Sequence, residues 1–366
     1  MKFSAARETL LKPLQTVVGV VERRQTMPIL SNVLLSTQGS KLSITATDLE
    51  VEMVAEAEVK GESAGDITVP GRKLHDIFRA LPEGTSVEFT LNGDRLTIKA
   101  GRSRFTLSTL RAADFPTVDE IGAKQTLRLN KPDLRRLVEK THFSMAQQDV
   151  RYYLNGLLLE TDKKRLRAVA TDGHRLALSE VDLLGAATRD EQLIVPRKGV
   201  LELSRLLLDG EGEVEVALGA NHIRVQLDGV RLTSKLIDGR FPEYSRVVPA
   251  QPKNTIKADR SLFRQALQRT AILSNEKYRG VRLELSTNSV VLQANNPEQE
   301  EAVETLEVDY GGDSMEIGFN VNYLLDALAA VDSEQVEFGV TDGNSSCLIR
   351  EPGSERTKFV VMPMRL

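Results

Sequence analysis

The stretch Ile44-Thr-Ala-Thr-Asp-Leu-Glu-Val-Glu-Met53 returns as Ala168-Val-Ala-Thr-Asp-Gly-His-Arg-Leu-Ala177 and, more faintly, as Leu292-Gln-Ala-Asn-Asn-Pro-Glu-Gln-Glu300. Aligned on Asp48, Asp172 and Asn296, the copies lie about one small domain apart. Their flanks repeat in the same order. Upstream stand Pro28-Ile-Leu-Ser-Asn-Val-Leu-Leu-Ser-Thr37, Tyr153-Leu-Asn-Gly-Leu-Leu-Leu-Glu-Thr161 and Gly280-Val-Arg-Leu-Glu-Leu-Ser-Thr287. Downstream stand Ile67-Thr-Val-Pro-Gly-Arg-Lys73, Leu193-Ile-Val-Pro-Arg-Lys198 and Glu316-Ile-Gly-Phe-Asn-Val321, each a strand-like run that leads into a helical pattern. Three ordered blocks in three copies predict one unit repeated three times. Such an object is used for its shape rather than for a catalytic cleft.

Each unit reads as strand, helix, several strands, second helix, more strands, an α+β plan. The first helices show the amphipathic period at Leu10, Leu14, Val17 and Val18, at Leu134, Leu137, Val138 and Thr141, and at Leu262, Ala266, Leu267 and Thr270. Asn130 and Asp259 stand where N-caps belong. Val87, Phe89 and Leu91 run into Asn92-Gly93 and out through Leu96 and Ile98, a hairpin signal; Val214, Val216 and Leu218 turn through Gly219-Ala-Asn221 into Ile223, Val225 and Leu227. Polar linkers at 119–125 and 248–254 place the domains near 1–124, 125–252 and 253–366.

Bulk properties bound the function. A chain of 366 residues with 41% hydrophobic content can bury two or three ordinary cores. No run of about 18 apolar residues is present, and the first residues lack an apolar signal core, so a cytoplasmic protein is expected. One cysteine excludes an internal disulfide framework. The absence of tryptophan weakens any reading based on stacking single-stranded bases. The net charge of −4 decides little, because binding depends on where charges sit. Arg72, Lys73 and Arg79 fall on the second helical segment, Lys131, Arg135, Arg136 and Lys140 on the third, Arg197 and Lys198 on the fourth, and Arg260, Arg264 and Arg269 on the fifth. The sixth has Asp326 and no basic residue. Ordinary solvated helix faces would look the same.

Tests for chemistry come back empty. There is no Gly-rich phosphate loop, no paired Cys-x-x-Cys and no His-Glu-x-x-His spacing, and the histidines His75, His142, His174 and His222 are scattered singly. Asp172-Gly173-His174 could pair an acid with a base, as a hydrolase or transferase would, but its counterparts Asp48-Leu49 and Asn296-Pro297 carry no histidine. A turn is the better reading. The expectation is no catalytic residue, no metal and no cofactor. The tail Val360-Val-Met-Pro-Met-Arg-Leu366 is mostly apolar, which fits a last strand or one wall of a shallow groove with adaptable methionines.

These stretches together resemble the bacterial β sliding clamp family, the processivity subunits of DNA polymerase III, over the whole chain. The resemblance rests on Leu10-Leu-Lys-Pro-Leu-Gln15, Gly101-Arg-Ser-Arg-Phe105, Gln148-Asp-Val-Arg-Tyr-Tyr-Leu-Asn-Gly156, Thr171-Asp-Gly-His-Arg-Leu176, Ile194-Val-Pro-Arg-Lys-Gly199, Asp238-Gly-Arg-Phe-Pro242, Ser274-Asn-Glu-Lys277, Asn295-Asn-Pro-Glu-Gln-Glu-Glu301 and the Met-Pro-Met-Arg-Leu terminus. It implies a head-to-tail homodimer, a ring of six similar domains with helices inside and double-stranded DNA, read without sequence preference, through the hole. It also implies partners: the polymerase catalytic subunit, the clamp loader, and other polymerases and repair proteins that dock through short linear motifs. A scaffold that never encircles DNA is the alternative.

Residue by residue, the resemblance puts DNA contact at Arg24, Arg72, Gln148, Tyr152, Tyr153, Arg197 and Lys198. The dimer seam would join Lys73, Arg102, Arg104 and Phe105 to the other copy's Ile272, Leu273, Glu298, Glu301 and Glu304, an apolar plug ringed by ion pairs with edge strands paired. The partner groove would be built from Leu154, Thr171, Gly173, His174, Arg175, Leu176, Pro242, Arg246, Val247, Ser346, Val360, Met362, Pro363, Met364 and Arg365. Asn344 stands where relatives often carry a small apolar residue, which would reshape one subpocket. Core packing is the competing role for the tyrosine pair, and a solvated acidic face for 298–304.

Overall fold

The computed structural model of the chain describes residues 1–21, 27–118 and 120–365. The first repeat runs β1 (Lys2–Ala6), α1 (Arg7–Val18), β2 (Asn32–Gln38), β3 (Lys41–Thr47), β4 (Val51–Glu58), β5 (Lys60–Ser63), β6 (Gly65–Pro70), α2 (Gly71–Ala80), β7 (Ser86–Asn92), β8 (Arg95–Ala100) and β9 (Ser103–Ser108). The second runs β10 (Gln125–Asn130), α3 (Lys131–Thr141), β11 (Gly156–Thr161), β12 (Arg165–Thr171), β13 (Arg175–Asp182), β14 (Glu191–Pro196), α4 (Arg197–Leu206), β15 (Glu213–Leu218), β16 (His222–Leu227) and β17 (Val230–Lys235). The third runs β18 (Asn254–Asp259), α5 (Arg260–Thr270), β19 (Gly280–Ser286), β20 (Ser289–Asn295), β21 (Glu301–Glu307), β22 (Met315–Asn320), α6 (Val321–Ala330), β23 (Gln335–Val340), β24 (Cys347–Arg350) and β25 (Thr357–Val361). Apart from the extra β5, the three copies match element for element.

The amphipathic readings explain the packing. Leu10, Leu14 and Val17 of α1 are buried, as are Leu134, Leu137, Val138 and Thr141 of α3. In α5 the inward face starts one residue later than expected: Leu262 is 57% exposed, while Phe263 is buried and its ring lies 4.7 Å from that of Phe338. The larger aromatic side chain takes the core position on the same face as Ala266, Leu267 and Thr270, which are buried as expected. Asp259 caps this helix, its side chain accepting from the Leu262 N–H at 2.8 Å. Asn320 does the same for α6 at the Asn322 N–H, 2.9 Å. The β7–β8 hairpin forms with Asn92 opposite Arg95, so its two-residue turn is Gly93-Asp94, with Gly93 at φ +59° where a side chain would strain.

Among the described residues the strand pairings are all antiparallel, and the chain divides into two compact units. One holds residues 1–132, 183–188 and 198–236, with a five-stranded sheet β5-β1-β7-β8-β9 and an eight-stranded sheet β10-β15-β16-β17-β4-β3-β2-β6. The other holds 133–182, 189–197 and 237–366, with an eight-stranded sheet β14-β11-β12-β13-β25-β24-β23-β18 and a four-stranded sheet β21-β20-β19-β22. The second repeat is shared between the units because each eight-stranded sheet is spliced from two repeats. In one, β4 pairs β17, with Met53 opposite Leu232 and Val54 opposite Arg231. In the other, β13 pairs β25, with Ala177 opposite Phe359 and Leu178 opposite Lys358. These are the same strands of the repeat in the same register. The repeat thus has one edge strand that accepts a successor and one that docks on a predecessor.

Candidate functional site

The repeated Thr-Asp motif is a hairpin turn. In the first copy Asp48 Oδ1 accepts from the N–H groups of Glu50 (2.9 Å) and Val51 (2.7 Å), and Thr47 Oγ1 donates to the Val51 carbonyl (3.0 Å). In the second, Asp172 Oδ1 accepts from His174 (2.9 Å) and Arg175 (3.0 Å), and Thr171 Oγ1 donates to the Arg175 carbonyl (2.6 Å). The position after the aspartate is left-handed in both, Leu49 at φ 77° and Gly173 at φ 90°. Asp172 Oδ2 is taken by Arg175 Nε at 3.1 Å, so both carboxylate oxygens are occupied in holding the turn. The third copy is looser: Asn296 Oδ1 accepts from the Glu300 N–H at 2.9 Å across a loop one residue longer.

Around the second turn, several of the expected groove residues come together. Leu154, Leu176 and Val360 are buried in one cluster with Ala146, Leu178, Phe241 and Leu348. Met362 is tied in by its N–H to the His174 carbonyl (2.9 Å), and Ser346 Oγ lies 3.1 Å from Met362 Sδ. Pro242, Arg246 and Val247 are exposed, with Arg246 paired to Glu243 at 2.8 Å. Arg175 is structural. It pairs with Asp326 on α6, donates to the Phe143 carbonyl at 2.7 Å, and stands 4.6 Å from the Tyr323 ring centre. Two cavities border this region. One, of about 530 Å³, is lined by Asn275, Tyr278, Asn295, Glu301, Met364 and Arg365 among others. The other, of about 280 Å³, is lined by Pro242, Tyr244, Glu160 and Arg167, where the Tyr244 hydroxyl donates to Glu160 (2.8 Å) and accepts from Arg167 (3.0 Å). Burial raises the Tyr244 phenol pKa, helped by the Glu160 carboxylate. Tyr244, Arg167 and Tyr278 were not anticipated; Tyr278 follows from the repeat, because it stands before Gly280 as Leu154 stands before Gly156.

Of the expected DNA contacts, Arg24 lies outside the described residues. Arg72 donates to the Val21 carbonyl at 2.5 Å and shares a cavity of about 610 Å³ with Lys73, His75, Asp76 and Arg79. Lys198 forms an ion pair with Asp48. Gln148 sits at φ 54°, in a loop organised by Asn155, whose side chain accepts from the Asp149 N–H (3.0 Å) and donates to the Asp149 carbonyl (2.9 Å). The Asn155 carbonyl accepts from the Arg197 N–H at 3.0 Å. Burial and the nearby Arg175 lower the Arg197 pKa. The structure therefore gathers Gln148, Tyr152, Tyr153 and Arg197 about Asn155. Tyr152 is 57% exposed and free of the core, while Tyr153 leans on the apolar cluster, so core packing describes only the second.

At the expected seam, Lys73, Arg102 and Arg104 are exposed and Phe105 is half-buried on β9. Ile272 is 75% exposed, and Glu298 and Glu301 are exposed. Glu304 is already gripped by Arg269, Nε to Oε1 2.5 Å and Nη2 to Oε2 3.0 Å, which lowers its pKa. Val303 is 53% exposed, though its repeat counterparts Val54 and Leu178 are both 8% exposed. It was missed at the sequence level, although aligning the repeats would have found it.

Three like domains on a shared strand-helix plan, joined through their sheets and with an Asp-Gly-His motif spent on a turn, define the class: a tandem-repeat clamp fold. Family models for the DNA polymerase III beta subunit match residues 1–119 (N-terminal domain), 128–243 (central domain) and 245–365 (C-terminal domain). Beta sliding clamps of Pseudomonas putida and Escherichia coli K12 are 55% and 52% identical over 367 residues, covering all of both chains. The crystal structure of the DNA polymerase III subunit beta from Pseudomonas aeruginosa superposes with a TM-score of 0.97 at 53% identity over all of both chains, and that of Caulobacter crescentus with 0.95 at 42%. A further Pseudomonas aeruginosa clamp, 54% identical with a TM-score of 0.97 over all of both chains, was solved bound to griselimycin. The chain belongs to the DNA polymerase III beta subunit family. It is a sliding clamp of DNA replication, an accessory processivity subunit and not an enzyme.

Proposed function

We propose that two copies of this chain close head-to-tail around duplex DNA and that the ring tethers the polymerase by topology. The observation that carries this reading is the pair of spliced sheets. The acceptor strand of the first repeat is used by the second (β4·β17), and that of the second by the third (β13·β25). Among the described strands, β21 and β9 are left as sheet edges of that type. Transferring the register sets Ala302 opposite Phe105 and Val303 opposite Arg104 of another copy. Phe105 then takes the place that buried Leu232 and Phe359 hold in the internal junctions, and exposed Val303 becomes covered. Turn and helix charges agree: Asp48 meets Lys198 in the first junction, Arg175 meets Asp326 in the second, and Glu298 would face Lys73 in the third. Exposed pairs add roughly 0–1 kcal/mol each, so strand pairing and the apolar plug dominate.

Gln148, Tyr152 and Arg197, with Arg24, Arg72, Tyr153 and Lys198, then touch the duplex, steering without reading sequence. The groove over Leu154, Leu176 and Val360, walled by Val247, Met362 and the tail, takes the apolar anchors of the polymerase, the loader and repair proteins in the cytoplasm. Micromolar affinity, about −8 kcal/mol, would let those partners exchange. On this reading griselimycin, which a related clamp binds, would occupy this groove, and Val247→Asp should weaken it about tenfold or more. Domain limits near 1–124, 125–252 and 253–366 complete the reading. The native mass should be twice the chain mass. A clamp loaded on nicked circular DNA should leave when the circle is cut; retention after linearisation would end the topological account.

A further inference from the structure

Between the loop of Gln148 and the turn of Gly173 lies one side chain, Arg151, that bonds to both. Arg151 is clasped by Asp149 through Nε to Oδ1 (3.0 Å) and Nη2 to Oδ2 (2.9 Å), and its own N–H donates to Asp149 Oδ1 (2.8 Å). The same Nη2 donates to the Asp172 carbonyl at 3.3 Å, inside the turn that carries Gly173 and His174. A side chain at Gly173, which sits at φ +90°, would meet the guanidinium at 3.0 Å, so glycine lets Arg151 lie close against the turn. Asp149 is in turn fixed to Asn155, and Asn155 to the start of α4 at Arg197. One planar fork therefore touches the loop bearing Gln148 and Tyr152 on one side and the groove rim on the other. A fork that bonds on two edges transmits displacement, because it cannot turn without losing one set of bonds.

We infer that Arg151 is a positioning residue that couples groove occupancy to duplex engagement, so that a partner seated in the groove changes the clamp's hold on DNA. This rests on the groove and DNA assignments proposed above. Its occupants are the same ones, an apolar-anchored ligand and duplex DNA; the new element is that the two sites are not independent. Linkage requires the effect to be reciprocal.

The test uses the full-length protein, griselimycin as the groove probe and a fluorescein-labelled 30-base-pair duplex read by anisotropy at low salt. In the wild type, saturating griselimycin should change the duplex Kd about fivefold, and saturating duplex should change the griselimycin Kd by the same factor. In Arg151→Ala each ligand should still bind and the factor should fall to one. Asp149→Asn, which keeps an acceptor but loses the fork, should give an intermediate factor. Unchanged coupling in Arg151→Ala, or independent binding of both ligands to the wild type, overturns the inference alone. Failure of either ligand to bind the wild type overturns the underlying assignments, and the inference with them. Loss of affinity without loss of coupling would mark Arg151 as merely structural and also count against it.

Discussion

Asp149 and Arg151 fix the shape of an exposed loop by charge rather than by burial. Hydrogen bonds from the Arg151 side chain and backbone hold the Asp149 carboxyl at about 2. A depressed carboxyl pKa means the pairing is fully present above the unfolded value of about 3.9 and is lost as pH falls through the folded value. The loop should therefore keep its form down to about pH 4 and release only as pH approaches about 2. Carboxyl-detected NMR across that range checks it; a midpoint near 4 would mean that the clasp is not made in solution. Cys347 is buried and its thiol is pushed up to about 12 by desolvation. It should ignore a thiol reagent such as DTNB in the folded protein and react fully once guanidinium unfolds it. Replacement of Asp172 tests the turn reading. Asp172→Ala removes an acceptor for two N–H groups and a partner of Arg175, which should cost about 1–3 kcal/mol in chemical denaturation. It should abolish no chemical step, because the carboxylate does structural work only.

At the scale of elements, the decisive features are the strands that pair across repeats. Met53 and Ala177 are fully buried where they face Leu232 and Phe359. By contrast, Phe105 is half-buried and Val303 is open. Phe105→Ala should weaken the seam by about 2–4 kcal/mol, and Val303→Asp should do so through an uncompensated charge against the strand. Sedimentation at micromolar protein should then show the single-chain mass, with the melting temperature of the folded chain little changed. A full dimer in both variants would remove β21 and β9 from the seam. The edge pattern was only half legible in the sequence. Alternating strands and turns could be read from period and from pairs such as Asn92-Gly93, because these are local. Which strand meets which could not, because β4 and β17 are separated by most of two repeats and share no local signal.

For the whole molecule, the expectation is that DNA is held by enclosure. Direct binding of the unloaded protein to short duplex should fall steeply between 50 and 200 mM salt, as counterion release requires. A ring closed on circular DNA should survive the same change in a gel-filtration assay, and equal loss in both formats would contradict enclosure. Charge placement matters more here than the net −4. The helices that carry Arg72, Arg197 and Lys198 begin directly after β6 and β14, so the first two copies of the repeat deliver a basic helix start at the equivalent place. The third repeat puts Val321 and Asn322 there instead, and its junction uses Asp326 to hold Arg175.

The sequence by itself determined the repeat, the order of elements, the turn character of the Asp-Gly-His motif and the family, since each of these is written in short-range pattern or in ordered matches along the chain. Tertiary structure decided the rest. It splices the repeats into common sheets, ties up Arg175 and Lys198 in ion pairs, seats Phe263 rather than Leu262 in the core, and leaves Val303 uncovered. The reason is physical. Backbone pairing and packing at long sequence separation depend on how the faces of distant elements fit together, and that fit exists only once the chain has folded.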